Sequence, residues 1–260
     1  MTKFDMSYLG DVTTFLGMDI VRDRSTGVLL VRQCRYIHAI LERFNMAHCN
    51  PSATPGDGVF PPAGALLDIK TTTYYQGLVG SLIYLISCTR PDIAYAVMQL
   101  SRVQNKPSIP HLTAGKRILR YLKGTQDLPL RYGAGKGELS GFAAASFASD
   151  PYTNRSTSGY VFTMSGAAIT WSSKMQPIVA LSTTEAEYIS LAHAAQEAVY
   201  LGNFFEELGF LEYKTIMMYE DNMGALQLAS NKIYSARTKH IGVRFHFLRD
   251  LVQDNKIILQ

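Results

Sequence analysis

Ser182-Thr183-Thr184-Glu185-Ala186-Glu187-Tyr188 is the stretch that decides how the second half of this chain folds. Before it, Ala168-Ile169-Thr170-Trp171-Ser172-Ser173-Lys174 and Pro177-Ile178-Val179-Ala180-Leu181 read as strand residues. After it, Tyr188, Leu191, Ala195 and Val199 return at helical spacing. The stretch is therefore a strand-to-helix entry with carboxylates on the first turns of the helix. Ser182 and Glu185 fit a capping box, in which the serine caps the third helical residue and the glutamate folds back. Thr184 and Glu187 fit the same pattern, so spacing alone leaves open which acid is free for chemistry.

A length of 260 residues suffices for one large domain or two small ones with ample core. Hydrophobic residues make up 47% and charged ones 18%, which excludes a disordered chain. The formal charge of +4 permits a polyanionic partner without requiring one. Cys34, Cys49 and Cys88 are odd in number and lack metal-ligand spacing, which fits a reducing compartment. No signal peptide is read at the start, and the longest apolar run, 78–88, is too short for a bilayer. A soluble, intracellular protein is expected.

Residues 13–21 read as a strand, Arg24-Ser25-Thr26-Gly27 as a turn, and 28–33 as its antiparallel partner. Residues 36–44 form a short amphipathic helix, so 1–48 make a hairpin-and-helix unit. Pro51, Pro55, Pro61 and Pro62, with several glycines, mark 49–73 as a connection. A mainly helical region, 74–132, follows, with helices near 74–87, 91–103 and 111–123. On the last helix Lys116, Arg120 and Lys123 share one face. That stripe reads as solvated surface, or as a rail for phosphates with no sequence preference. Gly133-Ala134-Gly135-Lys136-Gly137 reads as a linker between domains.

From residue 138 to 260 the rhythm changes to α/β. Strands are expected at 139–147, 159–164 and 168–173, then a helix from Thr183 that breaks near Gly202 and ends at Gly209. A strand over 214–219 ends in Glu220-Asp221-Asn222, a short helix runs to Ser230, a helix spans 238–253, and 256–259 begins another strand. The fourth strand enters this layer after a crossover. An acid at its carboxyl end lies where open α/β sheets place their chemistry, and an acid just past a strand also caps helices. Asp221 fits both readings.

Five segments together resemble the ribonuclease H region of copia-type retrotransposon polyproteins. They are residues 155–162 (Arg155-Ser156-Thr157-Ser158-Gly159-Tyr160-Val161-Phe162), Trp171-Ser172-Ser173-Lys174, the Ser182 to Tyr188 stretch, Glu220-Asp221-Asn222, and Arg237-Thr238-Lys239-His240-Ile241. The first half is similar to the end of the same polyprotein's reverse transcriptase. There the match is carried by Phe15-Leu16-Gly17-Met18-Asp19-Ile20, residues 78–85, Thr89-Arg90-Pro91-Asp92-Ile93-Ala94-Tyr95 and residues 120–125. The resemblance runs in collinear order over essentially the whole chain. It implies an α/β fold: an RNase H-like mixed sheet with helices, preceded by a palm-like β-hairpin and a helical thumb or connection remnant. Cut from its parent sheet, the hairpin is expected to pack loosely or against the helices.

Members of that family hydrolyse the RNA strand of RNA–DNA hybrids with two magnesium ions held by carboxylates. The resemblance therefore implies Mg2+ as cofactor, a hybrid or other nucleic acid as partner, and the cytoplasm, nucleus or a virus-like particle as location. Glu187 matches the family's glutamate and Asp221 the aspartate after the fourth strand, both as catalytic and metal-binding residues. In Gly141-Phe142-Ala143-Ala144-Ala145-Ser146-Phe147, Ala144 stands at the position of the first aspartate and Ser146 at the second acid of the segment. The last aspartate is expected beyond Gln260 and the polymerase aspartates upstream of Met1, while Gly242 stands where relatives usually carry an acid. Asp150 is the nearest acid to the first strand but lies past a turn. Nucleic-acid contacts are expected from Lys116, Arg120, Lys123, Arg237, Lys239 and Arg244, with Arg249 beside them. The expected activity is a weak or absent endoribonuclease without a polymerase site; the alternative is a non-catalytic nucleic-acid-binding remnant.

Overall fold

Turn chemistry sets the first sheet. In the computed structural model, which describes residues 7, 10–58, 61–133, 137–230 and 242–260, the strand expected over 13–21 is two strands. They are β1 (Thr14–Phe15) and β2 (Met18–Asp23). Leu16 and Gly17 between them have φ of 45° and 70°, and Phe15 pairs with Met18. Two successive positive φ values make a tight hairpin turn of the primed kind. Leu16 hides it, because an apolar residue carries no turn signal. β3 (Val28–Arg32) pairs with β2 and then with β4 (Leu130–Tyr132), giving the order β1-β2-β3-β4. The hairpin is thus joined by a strand from the end of the region expected to be helical, rather than left without a sheet.

The helices between are α1 (Cys34–Arg43), α2 (Ile69–Cys88), α3 (Ala94–Ser101) and α4 (Ile109–Gly124), with one 3-10 turn at Pro91–Ile93. α2 starts earlier than its periodicity suggested. The Asp68 carboxylate accepts the Thr71 N–H at 2.7 Å and caps it, while three β-branched threonines mask the first turn in sequence. Ile37, Leu78, Leu82, Leu85, Ile118 and Leu119 are among the buried residues of their shared core. Arg90, 1% exposed, pairs with Asp92 at 2.7 Å and donates to the Thr125 carbonyl, locking the α2–α3 corner to the end of α4.

The second sheet holds β5 (Leu139–Ser146), β6 (Thr157–Met164), β7 (Ala167–Met175), β8 (Ile216–Tyr219) and β9 (Ile257–Leu259) in the order β7-β6-β5-β8-β9. β5, β6 and β7 are antiparallel neighbours; β8 runs parallel to both β5 and β9. This is the RNase H-like mixed sheet that the resemblance implies. α5 (Thr183–Glu207) covers it without the break expected at Gly202. A Cβ on Gly202 would meet the Lys214 carbonyl at 3.4 Å, so this glycine serves a close approach. Gly209, with φ of +85°, follows the helix end as expected. α6 (Met223–Ser230) and α7 (Gly242–Gln253) complete the domain; the start of the helix expected from 238 lies outside the described residues.

α5 lies close on β5 and β6 because the face around Ser190 is small: Ala186, Ala194 and Ala198 are buried at helical spacing from it. The Ser190 hydroxyl, on the same face, donates to the Ala144 carbonyl at 2.7 Å and the Gly159 carbonyl at 3.2 Å. On β5, a Cβ at Gly141 would stand 2.4 Å from the Phe162 ring. The two halves meet through Trp171, whose Nε1–H donates to the Ile86 carbonyl at 2.8 Å while its ring packs on the helical core. Arg102 and the buried Asp150 pair across the same junction at 2.9 Å. Among the described residues, no helix is long and apolar enough to cross a membrane.

Candidate metal centre

The first turn of α5 divides its two acids between capping and chemistry. The Ser182 hydroxyl accepts the Glu185 N–H at 3.1 Å, and the Glu185 carboxylate accepts the Leu181 N–H at 2.9 Å. Glu185 is used at the helix entry, reaching one residue further back than a capping box does. Glu187 is left over. It accepts a hydrogen bond from the Ala145 backbone, and its Oε2 is buried without a partner among the described residues.

β8 delivers the next acids. Its parallel pairing with β5 carries its carboxyl end to the side where α5 begins. Glu220 is 5% exposed. Its Oε1 accepts the Asn222 N–H at 3.2 Å, and its Oε2 is buried without a partner among the described residues. Asp221 is exposed, and the cap of α6 is Asn222, whose Oδ1 accepts the Ala225 N–H at 3.0 Å. That relieves Asp221 of the capping role. One carboxylate oxygen from each of Glu187, Glu220 and Asp221 lies within 4.8 Å of the other two. Burial pushes the Glu187 carboxyl up; the Ala145 bond opposes this and the Asp221 charge adds to it. Burial, then the Glu187 charge, pushes Glu220 up to about 8.

Ala144 precedes Ala145, whose backbone binds Glu187. The last pair of the β5–β8 ladder is Phe142 with Tyr219, whose rings stack 5.0 Å apart. Two residues further along each strand, the same register sets Ala144 opposite Asp221. Alternation puts Phe142, Ala144 and Ser146 on the face away from α5, along a cleft of about 500 Å³ that Tyr95 and Trp171 also line. The Ala144 methyl offers no donor atom. Asp150, the nearest acid in sequence, is held by the Thr153 amide at 3.1 Å, the Thr153 hydroxyl and Arg102.

Glu220 is the residue that sequence reasoning passed over. Its signal was available: Ile216, Met218 and Glu220 alternate on one face of the strand, and an acid at an inward position has to be explained. The basic residues are more dispersed. Lys116 is exposed on α4, whereas Arg120 donates to the Asn50 carbonyl at 2.7 Å and Lys123 to the Ala47 carbonyl at 2.5 Å. These two fasten residues 47 and 50, at the start of the connection, onto α4. Arg244 is half-buried on α7, Arg249 is within electrostatic reach of Tyr188, and Arg237 and Lys239 lie outside the described residues.

Residues 1–57 match the family described as reverse transcriptase (RNA-dependent DNA polymerase). Over 98% of its length the chain is 43% identical to the retrovirus-related Pol polyprotein from transposon TNT 1-94 of Nicotiana tabacum, covering 20% of that protein. It is 39% identical over 98% of its length to the corresponding polyprotein from transposon RE1 of Arabidopsis thaliana, covering 17% of it. The chain thus spans about a fifth of the length of these curated relatives. Among solved structures it is similar to LC11-RNase H1 in complex with an RNA/DNA hybrid, at 12% identity and a TM-score of 0.35, over 47% of this chain and 83% of that one.

Proposed function

Because the chain belongs to the Pol polyproteins of copia-type retrotransposons, we propose that residues 138–260 are their ribonuclease H-type domain, directed at the RNA strand of RNA–DNA hybrids. Residues 1–48, 49–73 and 74–132 are then the palm-like end, the connection and the helical thumb or connection region of the reverse transcriptase. Glu187 and Asp221 are the metal-binding and catalytic carboxylates of the hydrolase, and Ala144 leaves it one carboxylate short of its relatives.

One observation carries this reading: acids from α5 and from the end of β8 converge to within 4.8 Å of one another. Like charges so close repel unless a cation or a proton stands between them. All the donors are carboxylate oxygens, Glu187 keeps a buried oxygen without a partner among the described residues, and Asp221 is open to solvent. That donor set suits a hard divalent ion, magnesium in this family. Such an ion, when bound, supplies activation of water and charge stabilisation at the phosphate. The chain's own part is to orient: the Ala145 backbone holds Glu187, and the end of β8 presents Asp221 to solvent. Lys116 and Arg244, with Arg237 and Lys239, draw the polyanion in, a salt-sensitive attraction that does not depend on the metal. The three free cysteines agree with a role in the cytoplasm or nucleus.

The Ala144 methyl favours a second reading, a domain that holds hybrids and cleaves them poorly or not at all. Cleavage of a labelled hybrid in Mg2+ by the native chain, Ala144→Asp and Glu187→Gln separates the two. Weak turnover that Ala144→Asp raises and Glu187→Gln abolishes supports the hydrolase. Salt-dependent binding with no cleavage by any variant supports the remnant.

A further inference from the structure

We infer that Glu220 is a third ligand of this centre, added from the inner face of the sheet; the inference rests on the reading of Glu187 and Asp221 as metal-binding. Glu220 is 5% exposed, and among the described residues no Lys, Arg or His forms an ion pair with it. The charged groups facing it are Glu187 and Asp221, both of its own sign. A carboxylate taken out of water without a counter-charge is a costly thing to keep. Ile216 and Met218, which precede it on the same face, show what packing alone calls for at this position.

The local bonding fits a ligand better than a structural acid. The Glu220 N–H donates to the Gln260 carbonyl at 3.0 Å, and Oε1 is engaged by the Asn222 N–H. The backbone and one oxygen are therefore fixed, while Oε2 stays buried with no partner among the described residues. Glu187 presents the same pattern, with the Ala145 bond and an unpartnered Oε2. Two immobilised inner oxygens and the exposed Asp221 carboxylate make a three-oxygen donor set open on its solvent side. A small hard cation accepts such a set, with its remaining positions left for water and phosphate oxygens.

The test is Mn2+ binding to the whole chain, followed by loss of the free-ion electron paramagnetic resonance signal, for the native protein, E220Q and E187Q. Melting of each in EDTA runs alongside. E220Q is expected to bind at least tenfold more weakly than the native chain while melting in EDTA no lower than it does. Native-like binding by E220Q, with E187Q weakened, overturns the role of Glu220 and leaves the metal reading standing. No Mn2+ binding by the native chain removes both. Weak binding by an E220Q that melts well below the native chain in EDTA assigns Glu220 to the fold instead, and also overturns the inference.

Discussion

Arg102→Met tests how the two halves of the molecule are held together. Asp150 is 1% exposed and 2.9 Å from the guanidinium, whose side chain is 25% exposed. At that distance the gross attraction is about 6 kcal/mol for an effective dielectric constant of about 20. Desolvation of Asp150 offsets most of it, and the contact is a charge pair more than an aligned hydrogen bond. A net coupling of about 1–2 kcal/mol remains. Losing Arg102 alone costs about 3 kcal/mol, because Asp150 stays buried with only Thr153 beside it. The assay is a double-mutant cycle of Arg102→Met and Asp150→Asn by urea unfolding, read from Trp171, the single tryptophan, at the same junction. Burial raises the Asp150 carboxyl, but the bonds from Thr153 and Arg102 outweigh it and hold it below its ordinary 3.8. The folded state therefore binds fewer protons there than the unfolded one. The stabilisation is present above pH ~4 and lost as pH falls through the folded value. Coupling below about 0.5 kcal/mol, or the same acid sensitivity in Asp150→Asn as in the native chain, would refute the reasoning.

Three further outcomes are expected. Gly141→Ala sets a methyl 2.4 Å from the Phe162 ring and should cost about 1–3 kcal/mol in urea melts, partly recovered by adding Phe162→Leu. Gly133→Ala combines a φ of +112° with a Cβ 2.8 Å from the Gly27 carbonyl; a loss above about 1 kcal/mol, with faster amide exchange in β3 and β4, checks it. Ala144→Asp should raise hybrid cleavage in Mg2+ by about 100-fold or more, while the salt slope of hybrid binding stays unchanged.

Most elements of the α/β domain were legible because each carries its signal locally, whereas 177–181, read as strand residues, lies outside every strand. Alternation marks β5 to β7, Ser182 marks the start of α5, and Gly209 marks its end. Glu187 and Asp221 were singled out through the resemblance, and two bonds give the helix-entry roles to their neighbours instead: Leu181 to Glu185, and Ala225 to Asn222. Features that depend on distant partners were not readable. β4 is three residues long and exists as a strand through its pairing with β3. Arg120 and Lys123 read as a free basic stripe because the carbonyls they bind lie some 70 residues earlier in the chain. The turn at Leu16-Gly17 failed for the opposite reason: its signal is local, but half of it sits on a leucine.

The small inner face of α5 has a consequence for how such a sequence decays. A bulkier side chain at Ala186 or Ala194 would press the helix off the sheet and cost typically about 1–3 kcal/mol, so selection for mere solubility still polices those positions. The clustered carboxylates of Glu187, Glu220 and Asp221 carry no such steric demand. In a chain without bound metal, each carboxylate removed from the cluster relieves repulsion. Drift in an unused copy therefore meets no folding penalty at its acids and a steep one at its alanines. In such a copy chemistry would be erased first and the scaffold would outlive it.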